Sequence, residues 1–167
     1  MILLESTLAK SPIVSIQTGS VIASITRPVV DPGKLSIFAY QVTGPLVPHQ
    51  PSYLLTRDIR ELGELGAIID SADEFITGGD VIALDELLKL NFSPLGMRVQ
   101  DEKGKKLGKV SDLTIDVGSY YIQQLMVKRP LIASINDTEL LIHRTQIIEI
   151  NNEAIVVHSQ AKAPEPE

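Results

Sequence analysis

Cysteine and tryptophan are both missing from this 167-residue chain. Without Cys there is no disulfide, no thiol nucleophile, no Fe–S cluster and no cysteine-ligated zinc. Aromatic residues make up only 4%, so the core has to be aliphatic. The 44% hydrophobic content is enough for a packed core, and the 22% charged content is too low for a disordered chain. Cations are also scarce: 15 Lys and Arg stand against 21 Asp and Glu, for a formal net charge of -6 and a pI near 5.1. That balance argues against a dedicated nucleic-acid binder, which needs a clustered basic surface against phosphate. No run approaches the roughly 18 apolar residues of a spanning helix. The opening Met1-Ile2-Leu3-Leu4-Glu5 has no basic flank, and Glu5 interrupts it, so no signal peptide is expected. The expected compartment is the cytoplasm.

What the chain does contain is a repeat. Displaced by 85 positions, the segment 19–42 lies on 104–127 without a gap. Gly19 meets Gly104, Asp31 meets Asp116, Gly33 meets Gly118, Ile37 meets Ile122 and Val42 meets Val127. Between these identities the apolar class is kept, as in Ile22 with Leu107, Ile25 with Val110 and Tyr40 with Leu125. Upstream, Ser11-Pro12 resembles Ser93-Pro94. Downstream, the stretch 54–62 resembles 142–150. Two domains are therefore expected, over 1–78 and 91–160. A linker over 79–90 joins them, and a solvated tail, AKAPEPE, covers 161–167.

Short runs rich in Ile, Val, Leu and Thr, separated by Gly, predict antiparallel strands in each unit. Leu113, Ile115 and Val117 are expected on one face, as are Tyr121, Gln123, Leu125 and Val127. Asp101-Glu102-Lys103-Gly104 reads as a hairpin turn with Gly104 at positive φ. Pro32-Gly33 suggests a type II turn. Pro45, Pro48 and Pro51 stiffen a loop in the first unit, and 132–137 takes that place in the second. The pattern Leu84, Leu87, Leu88, with Asp85-Glu86 early and Lys89 late, predicts a short helix over 82–90 with an apolar docking face. Five or six short strands per unit are best served by a small closed barrel.

The residues that carry a family resemblance are Gly104-Lys105-Lys106-Leu107-Gly108-Lys109-Val110 followed by Ser111-Asp112-Leu113-Thr114-Ile115-Asp116. With Asp58-Ile59-Arg60-Glu61-Leu62 of the first unit, this order is similar to the PRC-barrel family. The first unit has Ala23 in place of the second Gly and Arg27-Pro28 in place of Asp112-Leu113. The second unit has Gln146-Ile147-Ile148-Glu149 where the first has Asp58-Ile59-Arg60-Glu61. The resemblance implies an all-β fold: two tandem small antiparallel β-barrels joined by a short helix. It also implies a binding module. In this family such barrels occur in the photosynthetic reaction-centre H subunit, in a bacterial ribosome-maturation factor that docks on a small-subunit ribosomal protein, and in an archaeal cell-division adaptor. The segments that accompany the barrel in those proteins are not seen here.

No catalytic set, cofactor site or metal site is expected. His49, His143 and His158 have no neighbouring His or carboxylate at ligand spacing. No Ser lies in a nucleophile elbow. The pairs Asp73-Glu74 and Asp85-Glu86 are adjacent in sequence rather than facing each other. The glycines at 104 and 108 are too close for a phosphate loop, and Val110 stands where a hydroxyl is needed. The candidate interaction surface is Lys103, Lys105, Lys106 and Lys109, with Arg57 and Arg60. The lysines are read as protecting a strand edge from aggregation, the alternative being recognition of RNA, an acidic protein or anionic lipid. Arg57 and Arg60 are read as part of a capped turn with Ile59 in the core, the alternative being a contact surface. The expected function is a non-catalytic adaptor or scaffold that binds a protein partner. The alternative is a ribosome- or RNA-associated factor using the basic edge of the second unit. Self-association is a further option.

Overall fold

The computed structural model describes residues 1–130 and 139–159; the loop read over 132–137 and the tail read over 161–167 lie outside the described residues. The chain opens with β1 (Ile2–Leu4) and a single turn, α1 (Glu5–Leu8). Then come β2 (Pro12–Ser15), β3 (Ser20–Asp31), β4 (Ser36–Thr43), β5 (Ser52–Leu55), β6 (Glu61–Gly63) and β7 (Gly66–Ile69). The helix α2 (Ile82–Leu90) follows, over the predicted residues. The second series is β8 (Arg98–Asp101), β9 (Lys106–Asp116), β10 (Ile122–Lys128), β11 (Glu139–His143), β12 (Ile147–Ile150) and β13 (Ala154–Val157).

The two series are wired alike. The first sheet runs β5-β4-β3-β2-β7-β6, and the second runs β11-β10-β9-β8-β13-β12 with β1 added against β9. A 3-10 turn leads out of β5 over Thr56–Asp58, and another leads out of β11 over Arg144–Gln146. β2 pairs with β7, and β8 with β13, in parallel; the neighbours of these pairs are antiparallel. The class is all-β, as expected, but neither sheet closes. Among the described residues no pairing joins β5 to β6 or β11 to β12. Sealing a barrel needs staggered ladders around the whole circumference. β6 offers only three residues and β12 only four.

By contact, the chain falls into two compact units. One comprises Met1–Ser93 together with Leu113–Gln123, and the other Pro94–Asp112 together with the chain from Gln124 onward. The first buries Leu8, Ile13, Ile25, Ile37, Leu54 and Ile69, with Tyr40 the one aromatic among its largest fully buried side chains. β1 belongs to it, running antiparallel to residues 114–116. Leu84 of α2 is fully buried among Val29, Ala39, Tyr53 and Leu55, with Leu87 and Leu88 packed against that cluster. Asn91, at φ 48, ends the helix in the left-handed region. The second unit buries Val99, Leu125, Val127, Ile142 and Ile155.

Two local expectations are corrected. Gly33 is not the left-handed residue of its turn. That role falls to Leu35 (φ 51), and to Tyr120 (φ 63) at the repeat-related position. The Asp31 carboxylate accepts the N–H groups of Gly33 and Lys34, and Asp116 accepts that of Gly118. These Asx turns lengthen the connection and move its tightest point downstream of the type II position. Along β10, Leu125 and Val127 are buried, but Ile122 takes the place expected of Tyr121 and Gln123. Tyr121 is 40% exposed.

Candidate functional site: a basic hairpin and an open cleft

The turn between β8 and β9 is built on one buried carboxylate. Asp101 is 6% exposed, and its Oδ1 accepts the N–H groups of Lys103 at 2.9 Å and Lys105 at 2.8 Å. Gly104, at φ 84, donates its N–H to the Asp101 carbonyl, as the sequence predicts. Glu102 is the other acid of the turn. It accepts hydrogen bonds from the Ser159 hydroxyl and backbone N–H; its own backbone N–H first, and then these, hold its carboxyl below the usual range. Both acids are thus occupied, while Lys103, Lys105, Lys106 and Lys109 are exposed and form no ion pair among the described residues.

Residues three apart on a regular strand point to opposite faces. Here Arg98 pairs with Lys109, Val99 with Gly108 and Gln100 with Lys106, so Leu107 is an extra residue in β9. The bulge restores phase: Lys106 and Lys109 share the face that carries Arg98 and Gln100. Arg98 and Lys109 lie directly opposite each other, a like-charge pair that costs stability. The edge-protection reading fails on topology, because β8 and β9 are both interior strands of their sheet. Sequence spacing could not show the shared face, because the register shift that produces it is set by the partner strand.

Arg57 and Arg60 flank Ile59, which is buried as expected. Both side chains are exposed, but they do different things. Arg60 hydrogen-bonds Asp70 through Nε, and that bond raises the guanidinium pKa above its ordinary value. Nearby, burial and then the carboxylates of Asp58, Asp70 and Asp73 push the Glu74 carboxyl up. Arg57 lines a cleft of about 600 Å³ that is formed wholly by residues of the first compact unit. Arg60 does not line it.

One wall of the cleft is α2, through Ala83, Glu86, Leu87 and Leu90; Leu55 and Arg57 come from β5 and its 3-10 turn. Phe38, Tyr120 and Tyr121 supply aromatic surface. In the same unit, Tyr40 is fully buried, and its hydroxyl has no partner among the described residues. Burial first, then the Glu5 carboxylate and Tyr120, push the Tyr40 phenol well above its ordinary pKa. Burial pushes Tyr120 up to about 12.

Both phenols hold their protons more tightly folded than unfolded, where the value is about 10. Their contribution is fully present below about pH 10 and is lost as pH rises through about 12 and beyond. Urea midpoints measured from pH 8 to 12 should therefore fall steeply above pH 10. Tyr40→Phe should flatten that decline; an unchanged slope would contradict this account.

His143 has a structural role. It caps the 3-10 turn by accepting the Thr145 N–H on Nδ1, while Gln146 Oε1 accepts the His143 N–H. Among the described residues no helix is long and apolar enough to cross a membrane.

The second series of strands has relatives. Residues 91–163 match the family model of the PRC-barrel domain. The chain carries a PRC-barrel domain. The match contains the whole basic hairpin and all six strands of the second series. A PRC-barrel points in general terms to protein interaction or scaffolding. No curated protein matches the chain significantly. Sequence spacing identified the lysines of the PRC-barrel domain but not their common face, and it missed the cleft, whose walls come from four separate stretches of the chain.

Proposed function

We propose that this protein is a non-catalytic adaptor or scaffold built from tandem PRC-barrel domains, and that the β8–β9 hairpin engages an acidic surface on a protein partner. The reading of the first repeat as a second PRC-barrel domain is supported by its identical strand order and by the conserved offset of its glycines and aspartates. The observation that carries the functional reading is the face shared by Arg98, Lys106 and Lys109. A like-charge pair kept opposite itself on interior strands does not serve edge protection, and it costs stability unless an anion offsets it.

A protein surface is favoured over RNA by what surrounds the lysines. Single-stranded RNA is gripped by aromatic stacking as well as charge, and the segment 94–119 contains no Phe or Tyr.

The test is capture from native lysate, with and without nuclease, by the wild-type chain and by a Lys103→Glu/Lys106→Glu/Lys109→Glu variant. The adaptor reading expects one or two proteins whose retention is indifferent to nuclease, declines with salt and is lost with the variant. Retention that vanishes with nuclease would replace this reading with the ribosome- or RNA-associated one. Retention equal in the variant would remove the hairpin from either.

A further inference from the structure

We propose that the cleft of the first unit binds a small amphipathic organic anion, a molecule with a compact apolar body and one carboxylate- or sulfonate-type group. Three features of the cleft converge on that class. Its volume of about 600 Å³ suits a small molecule. Its α2 wall is more apolar than the core requires. Leu84 is buried in the core and Leu87 and Leu88 pack against it, while Ala83 and Leu90, which also line the cleft, are exposed. Leu90 is 62% exposed there.

The third feature is the charge left available. The carboxylate of Asp31 is used by the amides of its own turn, and Lys34 has an interaction of its own. Arg57 makes no hydrogen bond or ion pair among the described residues, so its guanidinium is available for a bidentate contact with an anion. Asp31 and Glu86 are the acids of the lining that oppose this, and Glu86 makes the proposal testable in both directions.

The probes are 8-anilinonaphthalene-1-sulfonate and its neutral relative N-phenyl-1-naphthylamine, which share an apolar body and differ in the sulfonate. Fluorescence titration of the full chain should show saturable binding of one sulfonate probe per chain, tighter than the neutral probe. Arg57→Gln should weaken the sulfonate probe about fivefold and leave the neutral one unchanged. Glu86→Gln should tighten the sulfonate probe about twofold. Leu87→Ala should weaken both probes. Lys10→Gln, exposed and outside the cleft lining, serves as the charge control and should change neither. Tyrosine near-ultraviolet dichroism and thermal unfolding establish that each variant is folded. The proposal is overturned by non-saturable binding, by equal affinity for the two probes, or by Arg57→Gln and Glu86→Gln moving the sulfonate affinity in the same direction.

Discussion

Replacing Gly108 with alanine should destabilise the second unit by on the order of 3 kcal/mol. Two terms act together. At φ 145 the backbone is strained for any side chain, and a Cβ there would stand 2.2 Å from the Lys128 carbonyl oxygen and 2.9 Å from its carbon. Backbone cannot step aside as the tip of a flexible side chain could. The repeat supplies an internal control, because the equivalent residue in the first unit is Ala23. There the glycine lies just past the end of the facing strand: a Cβ on Gly44 would meet Ala23 Cα at 2.9 Å. Each unit meets the same close approach with a glycine, on opposite partners. Ala23→Gly should therefore cost less than about 1 kcal/mol, the ordinary penalty of glycine in a strand, while Gly44→Ala should resemble Gly108→Ala. Urea unfolding of the three variants checks the ordering. Equal midpoints for Ala23→Gly and Gly108→Ala would refute it.

That exchange also shows what one sequence can and cannot reveal. Aligned on itself, the chain shows Ala23 where a second glycine is expected, and this looks like a lost feature. Only the strand pairing shows that Gly44 replaces it. The elements legible in advance were those with local causes: the 85-residue offset that relates β3 and β4 to β9 and β10, the Gly104 turn, and the α2 span with its acids early and its lysine late. β1 and α1 were not legible. Four apolar residues and one turn have no periodicity to read, and their place depends on the distant residues 114–116. The shared face of Lys106 and Lys109 depends on a bulge, and a bulge is a property of two strands. The cleft was hidden for the same reason, since 31–38, 55–57, 83–90 and 119–121 meet only in three dimensions. Arg57 and Arg60 looked alike in sequence. Asp70, ten residues on, is what separates a paired cation from an available one.

Leu84→Ala is expected to cost about 3 kcal/mol, the range found for truncating a fully buried leucine that leaves a cavity. Leu84 is the buried anchor of α2, set among Val29, Ala39, Tyr53 and Leu55. The helix has only nine residues and no side-chain N-cap, so little of its stability is its own. Its Asp85–Lys89 pair, at 3.0 Å, is exposed and adds at most a few tenths of a kcal/mol. Docking must therefore hold it, and the anchor should dominate. Leu90→Ala, on the exposed stripe of the same helix, should stay within about 0.5 kcal/mol of wild type. Thermal or urea unfolding of the two variants separates the roles, and similar losses would mean that both stripes serve the core. The contrast bears on the cleft because its wall hangs from the same helix. Loosening Leu84 should weaken the cleft through position while leaving every lining side chain in place. Changing Leu90 should alter the lining while leaving the fold intact.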